Sequence, residues 1–429
     1  MNPQRAAEVS VYDRLRHGDG ELCALLAAGA ARHELIAMLG AADHALLTAL
    51  ARRALATAPR HAETVYLLPG IMGTQLGVAR VAPLPPDLLW LDPQDIIGGG
   101  LDRLRLDAPA LITLGAIQYS YLALQLRLRA AGFRVVVHDY DWRADLGALA
   151  TDFAARLRAD DSPGVAVIAH SMGGLIARRA LVEPGLERLL RLITLGTPHA
   201  GSYGAVQALR GTYPVVRRLA ALDRQHDAEY LATRIFSTFP SIHQLLPAAA
   251  APGSPSLLDA ASWPATGPRP DAQGLAAARS FAADLPPADA RCIAISGTHQ
   301  RTVTGLRLAD DDFLYEVSDG GDGTVPLNSA AWTGCDNYFV RCEHSALPRS
   351  ATVARALLEL LRHGRTARLA SGPGRPRGLH VTVSDRDLRH TWCEKIDWLR
   401  LAPAARRAYL NRLNEPPAQY AARRAAARP

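Results

Sequence analysis

The fold class that the sequence predicts is α/β, with a mostly parallel central sheet flanked by helices. Two observations lead to this prediction. From residue 64 onward, runs of four to six mainly apolar and β-branched residues are separated by segments long enough for a helix. Each run is apolar almost throughout, which is typical of parallel strands buried on both faces. Hydrophobic residues make up 48% of the 429 positions, enough for a sizeable core around such a sheet.

The strand and helix candidates alternate along the chain. Six runs predict strands of the central sheet: Thr64–Leu68, Arg134–His138, Val165–Ala169, Leu192–Leu195, Arg291–Ser296 and Tyr338–Arg341. A seventh run, Leu379–Val383, predicts a short strand near the C-terminus. Apolar residues at helical spacing predict helices over Ser120–Ala131, Leu146–Arg158, Gly173–Leu181 and Thr352–Arg362. Such alternation favours crossover connections and therefore parallel strands.

The same pattern divides the chain into regions. Residues 1–60, in which leucines recur at helical spacing, predict a helical N-terminal extension. Residues 61–363 predict the α/β domain, interrupted at about 201–284 by an inserted cap whose second half is rich in Ala, Pro, Gly and Ser. Residues 364–378 have the composition of a linker, and residues 379–429 predict a basic C-terminal extension that is partly helical.

Positive charge is concentrated at the C-terminal end. From Gly364 onward the chain has 13 Arg and its only lysine, Lys395, against five acidic residues, whereas the first 363 residues carry a net charge of −2. An arginine-rich extension can contact an anionic membrane peripherally, and we favour the alternative that it forms a solvated or packed surface. No recognition motif for nucleic acid accompanies the arginines, so nucleic acid is not expected as a partner.

Cysteine usage and the N-terminal sequence favour a cytoplasmic protein. The five scattered cysteines include no C-x-x-C pair, so neither a disulfide framework nor a zinc site is expected. Arg5, Glu8 and Asp13 interrupt any apolar segment at the start, so we expect no signal peptide. No run of 18 apolar residues predicts a membrane span.

The motif with the clearest chemistry is Ala169-His170-Ser171-Met172-Gly173, between an apolar strand candidate and a helix candidate. It matches the nucleophile elbow G-x-S-x-G of α/β hydrolases, with Ala in the first position. Small residues are needed two positions before and after the serine, because the turn is cramped. The helix that follows directs its N-terminal dipole at the position where an oxyanion forms. The sequence thus predicts Ser171 as a nucleophile in an α/β-hydrolase fold.

A nucleophilic serine needs a base and an acid that orients the base, and in this fold the chain order is Ser, Asp, His. Asp322 lies in a glycine-rich loop after the cap and is the predicted acid, with Asp319 as the alternative. His344 directly follows the last strand candidate of the sheet, where the base is expected. No metal or organic cofactor is needed for this chemistry.

An oxyanion hole requires two backbone N–H groups. One belongs to the residue after the nucleophile, which is Met172. The other is expected in the loop after the first strand, where Gly70 and Gly73 let the backbone approach closely. Ile71 is the predicted second donor, and Met72 is the alternative.

These residues resemble the lecithin:cholesterol acyltransferase and lysosomal phospholipase A2 family, including its bacterial members. The matching segments are Pro69–Leu76 (PGIMGTQL), Tyr140–Arg143 (YDWR), Ala169–Gly174 (AHSMGG), Leu195–Ser202 (LGTPHAGS), Gly321–Pro326 (GDGTVP) and His344, with a looser match at Phe239–Pro247. They cover about residues 64–363. The YDWR segment discriminates most, because generic lipases lack it. Residues 1–60 and 379–429 resemble nothing in the family.

The resemblance implies a Ser171–Asp322–His344 triad, oxyanion donors at Ile71 and Met172, and a lid that begins near Leu88–Pro93. It makes Met72, Trp90 and His199 candidates for the substrate pocket or lid, with a place in a turn as the other interpretation of His199. For Trp142 and Arg143 we favour a structural role, in which the indole packs and the guanidinium pairs with a nearby acid.

The function that the sequence predicts is a serine hydrolase or acyltransferase acting on lipid ester bonds, a phospholipase or a lipid O-acyltransferase. Both reactions pass through an acyl-serine and differ in whether water or an alcohol accepts the acyl group. The alternatives are an esterase for non-lipid esters and a partner-binding scaffold with incidental catalysis. The unmatched termini motivate the second alternative.

Overall fold

The computed structural model of the chain describes residues 18–248, 254–375, 378, 380–391, 394–417 and 420. The expectations for residues 1–17, for the middle of the Ala- and Pro-rich stretch at 249–253, for Cys393 and for residues 421–429 lie outside this part of the chain.

The described strands and helices alternate through the middle of the chain. In chain order, the strands are β1 (Glu63–Leu68), β2 (Thr74–Val78), β3 (Asp87–Trp90), β4 (Ile112–Ala116), β5 (Arg134–Val137), β6 (Gly164–His170), β7 (Leu189–Leu195), β8 (Cys292–Gly297), β9 (Thr302–Ala309), β10 (Asp312–Ser318), β11 (Asp336–Val340) and β12 (His380–Ser384). The helices are α1 (Asp19–Ala28), α2 (Arg32–Leu39), α3 (Ala41–Ala56), α4 (Pro93–Ile97), α5 (Gln118–Ala130), α6 (Leu146–Arg158), α7 (Met172–Ala180), α8 (Tyr203–Leu209), α9 (Pro214–Leu222), α10 (Ala228–Tyr230), α11 (Pro240–Gln244), α12 (Ala272–Ala283), α13 (Leu327–Ala330), α14 (Ala351–His363), α15 (Asp385–His390) and α16 (Pro403–Asn411).

Six of the described strands form one parallel sheet in the order β11–β8–β7–β6–β1–β5. Every residue of the central strand β6 is buried, since helices cover both faces of the sheet. The carboxyl ends of parallel strands meet at one edge, where open α/β sheets bind their ligands. The loops after β1, β6 and β11 therefore bring residue 70, residue 171 and residue 344 to the same edge.

Two small antiparallel sheets flank this core. One has the strand order β3–β2–β4 and follows the loop after β1, and the other has the order β12–β10–β9. The segment between β7 and β8, where the sequence predicts a cap, contains α8 to α12 and buries its apolar residues against the same core.

Both terminal regions pack on the α/β domain. Helices α1, α2 and α3 share a buried leucine cluster with α5. Strand β12 pairs with β10, so the C-terminal extension joins the second small sheet. Residue 370, within the segment of linker composition, bridges to Phe339 of β11.

The predicted fold class is confirmed, with a mostly parallel central sheet flanked by helices. The strands predicted for the sheet are present within a few residues of their expected bounds, and Leu146–Arg158 is a helix over that range. The sequence pattern missed β2, β3, β4, β9 and β10. These strands belong to small antiparallel sheets and lack the long apolar runs of the parallel strands.

No single helix in the described part of the chain has both the length and the apolar character needed to cross a membrane. Helices α1 and α2 reach that length and apolar character only when they are taken together, and the chain bends by 120° between them.

Candidate active site

Ser171 lies in a sharp turn between β6 and α7. Its φ of 53° and ψ of −127° are sparsely populated by residues other than glycine, and such strain is concentrated at functional sites. Neighbouring backbone enforces the turn, because a Cβ on Gly173 would lie 2.3 Å from the carbonyl oxygen of Pro69. Ala169, the last small residue before the turn, is fully buried in β6. Local crowding thus accounts for the small residues of the motif.

Ser171, His344 and Asp322 form a continuous hydrogen-bonded series. The Ser171 Oγ and His344 Nε2 atoms are 2.9 Å apart, and Nδ1 of the same ring lies 2.7 Å from Oδ2 of Asp322. A carboxylate can only accept, so Nδ1 carries the ring proton and leaves Nε2 to accept from the serine hydroxyl. All three side chains are buried.

The backbone fixes the Asp322 carboxylate. Its Oδ1 atom accepts from the N–H groups of Thr324, at 3.0 Å, and Val325, at 2.7 Å, while Oδ2 faces the imidazole. The N–H of His344 donates to the carbonyl oxygen of Asp322 at 2.8 Å. Asp319, the alternative acid, lies one residue after β10, and the carboxylate in contact with His344 is that of Asp322.

The loop after β1 approaches the serine closely. A Cβ on Gly70 would lie 2.8 Å from the Cβ of Ser171. The N–H of Gly73 donates to the carbonyl oxygen of Gly70 at 3.0 Å, closing a turn in which Met72 has a φ of 61°. The indole N–H of Trp90 donates to the carbonyl oxygen of Met72 at 2.9 Å and fixes that peptide.

Both predicted oxyanion donors lie near Ser171. Ile71 follows Gly70 and contributes to the wall of the cavity beside the serine. Met172 is the first residue of α7, where a backbone N–H has no partner within the helix. An oxyanion between these two amides would also face the positive end of the α7 dipole.

Two residues that the sequence analysis did not single out connect the loop to the histidine. The N–H of Gly70 donates to the hydroxyl of Tyr121 at 2.9 Å, and this hydroxyl lies 2.9 Å from Nδ1 of His170. Nε2 of His170 lies 3.1 Å from the carbonyl oxygen of His344 and must donate to it. Burial lowers the pKa of His170 well below its ordinary value, and the nearby His344 lowers it further.

The neutral His170 ring therefore accepts at Nδ1, so the Tyr121 hydroxyl donates to it. The result is a series of hydrogen bonds, all donated in the same direction, from Gly70 through Tyr121 and His170 to the backbone of His344. It connects the predicted oxyanion loop to the predicted base. His170 lies inside the elbow motif, but nothing in the sequence around Tyr121 signals this role.

The YDWR segment supports the loop after β1 from behind. The Tyr140 hydroxyl donates to the carbonyl oxygen of Pro69 at 2.5 Å, and the indole N–H of Trp142 donates to that of Thr74 at 3.0 Å. Arg143 pairs with Asp141 through its Nε and Nη2 atoms, at 2.9 and 2.7 Å. Trp142 is fully buried. These contacts position backbone and do not reach Ser171.

A cavity of about 510 Å³ lies beside Ser171 and His344. We call its boundary at Ser171, His344 and residues 70–73 the floor. Most of its wall is apolar, including Leu88, Trp90, Leu91, Ile117, Val215, Ile242 and Leu245. A second part of the boundary, which we call the roof, consists of the cavity-lining residues within 37–39 and 398–414, from the two terminal extensions. No motif in the sequence predicted the roof.

Met72 and Trp90 line this cavity, whereas His199 does not appear among the described residues of its wall. The pocket or lid role considered for His199 therefore stays a prediction. Its ring is buried in a stack on Trp332, with 4.3 Å between centroids, and Nε2 lies 3.2 Å from the Thr194 hydroxyl. Burial lowers the pKa of His199 well below its ordinary value, and the nearby Arg178 lowers it further.

In the described part of the chain, no cluster of three or more His, Cys, Asp and Glu side chains is arranged to hold a metal ion. Cys23, Cys292, Cys335 and Cys342 are free thiols. Burial raises the pKa of Cys292 to about 12, so this thiol is a poor nucleophile at neutral pH.

A family described as PGAP1-like alpha/beta domain matches residues 155–230, which include β6, the serine turn and α7. No curated protein matches the chain. Among solved structures, the mature form of the Bacillus licheniformis lipase BlEst2 is 14% identical, with 72% of this chain and 95% of that chain covered and a TM-score of 0.38.

The propeptide form of the same lipase is 14% identical over 71% of this chain, with a TM-score of 0.39, and the match spans about half, 51%, of that longer chain. The Tle4–Tli4 complex contains a chain 15% identical over 70% of this chain and 98% of its own, with a TM-score of 0.42. Similarities this distant identify no substrate or partner.

The parallel sheet, the strand–serine–helix turn and the family match support a hydrolase of the α/β-hydrolase superfamily. They do not select the acyltransferase and phospholipase family that the motifs resemble.

Proposed function

We propose that the chain is a serine hydrolase that cleaves lipid esters through an acyl-serine intermediate. The observation that carries the proposal is the hydrogen-bonded series from Ser171 through His344 to Asp322 at the floor of a mainly apolar cavity. Hydrogen-bond distances of 2.9 and 2.7 Å meet the geometric requirement for a nucleophile, its base and the residue that orients the base.

In the first step, Ser171 Oγ attacks the ester carbonyl while His344 Nε2 takes its proton. Asp322 holds the ring and stabilises the imidazolium that forms. The N–H groups of Ile71 and Met172 bind the oxyanion. When the C–O bond breaks, His344 returns the proton to the leaving alcohol and Ser171 keeps the acyl group.

In the second step, a water molecule attacks the acyl-serine. His344 takes a proton from this water and later returns it to Ser171 Oγ, so the enzyme is regenerated and a fatty acid is released. A long-chain alcohol in place of water would give a new ester by the same path, which is the acyltransferase alternative. The apolar cavity wall supports a long acyl chain as the group that is bound.

The test is to compare wild type, Ser171→Ala and the control Ser280→Ala on p-nitrophenyl esters of increasing chain length. Ser280 is exposed on α12, away from the cavity. We expect Ser171→Ala to lower kcat by roughly 10⁴- to 10⁶-fold and the control to leave it unchanged. We also expect kcat/KM to rise from the acetyl to the decanoyl ester.

Turnover by Ser171→Ala close to that of wild type would reject the nucleophile. A preference for acetyl over decanoyl esters would instead favour the non-lipid esterase. Repeating the reaction with added dodecanol and separating the products distinguishes water from an alcohol as the acceptor.

A further inference from the structure

The roof of the cavity is the part of the site that the proposed reaction does not use. Its C-terminal portion consists of a short 3₁₀ turn at Trp398–Arg400 and helix α16, and its N-terminal portion is the end of α2. Trp398, Leu399, Pro403, Leu410 and Leu413 supply apolar surface to the cavity. Both guanidinium side chains of α16, those of Arg406 and Arg407, also line it.

The charge of the cavity wall is one-sided. All of its lining residues belong to the described part of the chain, and none of them is an aspartate or a glutamate. Apart from the predicted base His344, the formal charges among them are those of Arg406 and Arg407, since His170 is kept neutral by burial. A chamber with two cations and no carboxylate attracts anions, and its low-dielectric walls strengthen the attraction.

Within the described part of the chain, the contacts of the two arginines leave their charge uncompensated. Arg406 donates from Nε and Nη2 to the carbonyl oxygens of Trp398 and Leu399, at 3.0 and 2.9 Å. Arg407 donates from Nη1 to the carbonyl oxygen of Ala37 at 2.9 Å. Across the described residues, neither guanidinium forms an ion pair, whereas Arg400, nearby on the surface, pairs with Asp397.

These backbone contacts fix the two side chains without neutralising them. A guanidinium has five N–H donors, so each arginine keeps donors for a further acceptor. Phosphate and carboxylate groups match this donor geometry, and charge-assisted hydrogen bonds to them are about twice as strong as neutral ones. Two fixed, partly buried arginines in the wall of an apolar cavity thus form a site for an anion attached to an apolar chain.

Resting on the proposed ester hydrolysis, we infer that the substrate carries an anionic group, a phosphate or a carboxylate, which Arg406 and Arg407 bind at the roof while its ester reaches Ser171. The floor then supplies the chemistry, and the roof selects anionic over neutral esters. The two terminal extensions, which resemble nothing in the related family, provide this selectivity.

The kinetic test uses three chromogenic esters of one chain length: p-nitrophenyl octanoate, its analogue with a terminal carboxylate, and its analogue with a terminal phosphate. We expect wild type to prefer an anionic ester over the neutral one by roughly 10- to 100-fold in kcat/KM. Whichever anionic ester is preferred identifies the anion. The double variant Arg406→Gln/Arg407→Gln is expected to lose this preference, so that its kcat/KM values for the two anionic esters fall to about its value for the neutral ester.

Arg412→Gln is the matched control, because Arg412 lies just after α16 and does not line the cavity. It is expected to keep the preference. Arg406 also supports the buried Trp398, so the single variant Arg407→Gln is measured alongside and is expected to lose several-fold of the preference. Equal kcat/KM values for neutral and anionic esters in folded wild type, or a preference that survives the double substitution, would overturn the inference.

A binding measurement separates this inference from the proposed reaction. Calorimetric titration of Ser171→Ala with monooctyl phosphate is expected to show binding that weakens with added salt and is lost in the double arginine variant. Arginine-dependent binding without any ester turnover by wild type would reject the proposed hydrolysis and keep the anion site. Ester turnover with no arginine-dependent binding and no anionic preference would keep the hydrolysis and reject the site.

Discussion

The floor and the roof of the cavity are held in place in different ways. At the floor, the backbone positions the side chains: Ser171 lies in a strained turn, and two backbone N–H groups fix Asp322. The roof is held in place by side chains that contact distant parts of the sequence. For example, Arg407 donates to the carbonyl oxygen of Ala37. Short sequence motifs therefore determine the geometry of the proposed chemistry. Contacts between residues far apart in the sequence determine the part of the cavity that would select the substrate.

The largest effect we expect comes from the floor. Asp322→Asn would keep the shape of the site but replace the acceptor that sets the His344 tautomer. We expect kcat to fall by roughly 10³- to 10⁴-fold, with little change in KM, because the ring would no longer present Nε2 as a base. Steady-state kinetics on a p-nitrophenyl ester measures this.

The matched control is Asp319→Asn, three residues earlier in the same loop. We expect it to change kcat by less than about threefold, since its carboxylate is not the one in contact with His344. If Asp319→Asn proved the more damaging substitution, the acid of the triad would have to be reassigned.

The next effect concerns how the C-terminal extension is anchored. Asp385, the first residue of α15, is fully buried, and its carboxylate accepts from Arg210 Nε at 2.9 Å, the Tyr315 hydroxyl at 2.7 Å and Arg389 Nε at 3.1 Å. Asp385→Ala would leave the buried Arg210 without its counter-charge. We expect the free energy of unfolding to fall by about 3–5 kcal/mol, measured by urea denaturation.

A surface carboxylate of the same extension provides the control. Asp397 pairs with Arg400 at 3.2 Å, but its side chain is 46% exposed, so Asp397→Ala should cost less than about 1 kcal/mol. Equal losses for the two substitutions would show that the extension is not anchored through Asp385.

The parallel sheet and the floor were predictable because short-range rules determine them. Apolar runs marked the parallel strands, and the small residues around Ser171 reflect crowding within a few ångströms of the turn. Chain order then singled out Asp322 and His344, which the structure brings within hydrogen-bond distance of each other.

The roof was not predictable because its contacts join residues that are far apart in the sequence. Arg407 and Ala37 are 370 positions apart, and no periodicity or motif relates them. Tyr121 was missed as well, because a tyrosine near the start of an amphipathic helix looks like a core residue. Residue order places His199 after a strand of the sheet but does not show that its ring stacks on Trp332.

A smaller effect is the dependence of stability on pH. Burial lowers the pKa of His170 and of His199 well below their ordinary values. Unfolding lets both rings bind protons once the pH falls below about 6.5. Their contribution to the free energy of unfolding is therefore fully present above that pH and decreases below it. We expect about 1.4 kcal/mol less stability for each ring per pH unit below 6.5.

Urea denaturation between pH 7.5 and 5.5 measures this loss, a range that lies above the ordinary titration of carboxylates. His199→Gln removes one of the two groups and is expected to reduce the slope by about one proton. An unchanged slope in this variant would mean that His199 is protonated in the folded protein.

The smallest effect tests whether the hydrogen bonds that connect Gly70 to His344 position these two parts of the floor relative to each other. Tyr121→Phe removes a hydroxyl that accepts from the Gly70 N–H and donates to His170, each at 2.9 Å. The ring still fills its space, so the loop stays folded but loses its fixed distance to His344. We expect kcat to fall about tenfold, equivalent to about 1.4 kcal/mol of transition-state stabilisation, with KM unchanged.

Tyr66→Phe separates this positioning effect from a general loss of stability. The Tyr66 hydroxyl is also buried and donates to Asp160 at 2.7 Å, but it lies on β1 away from the serine turn. The two variants should lose similar amounts of stability, and only Tyr121→Phe should lose kcat. If both lost kcat equally, the hydroxyl of Tyr121 would be an ordinary core contact and the floor would depend on the elbow and its glycines alone.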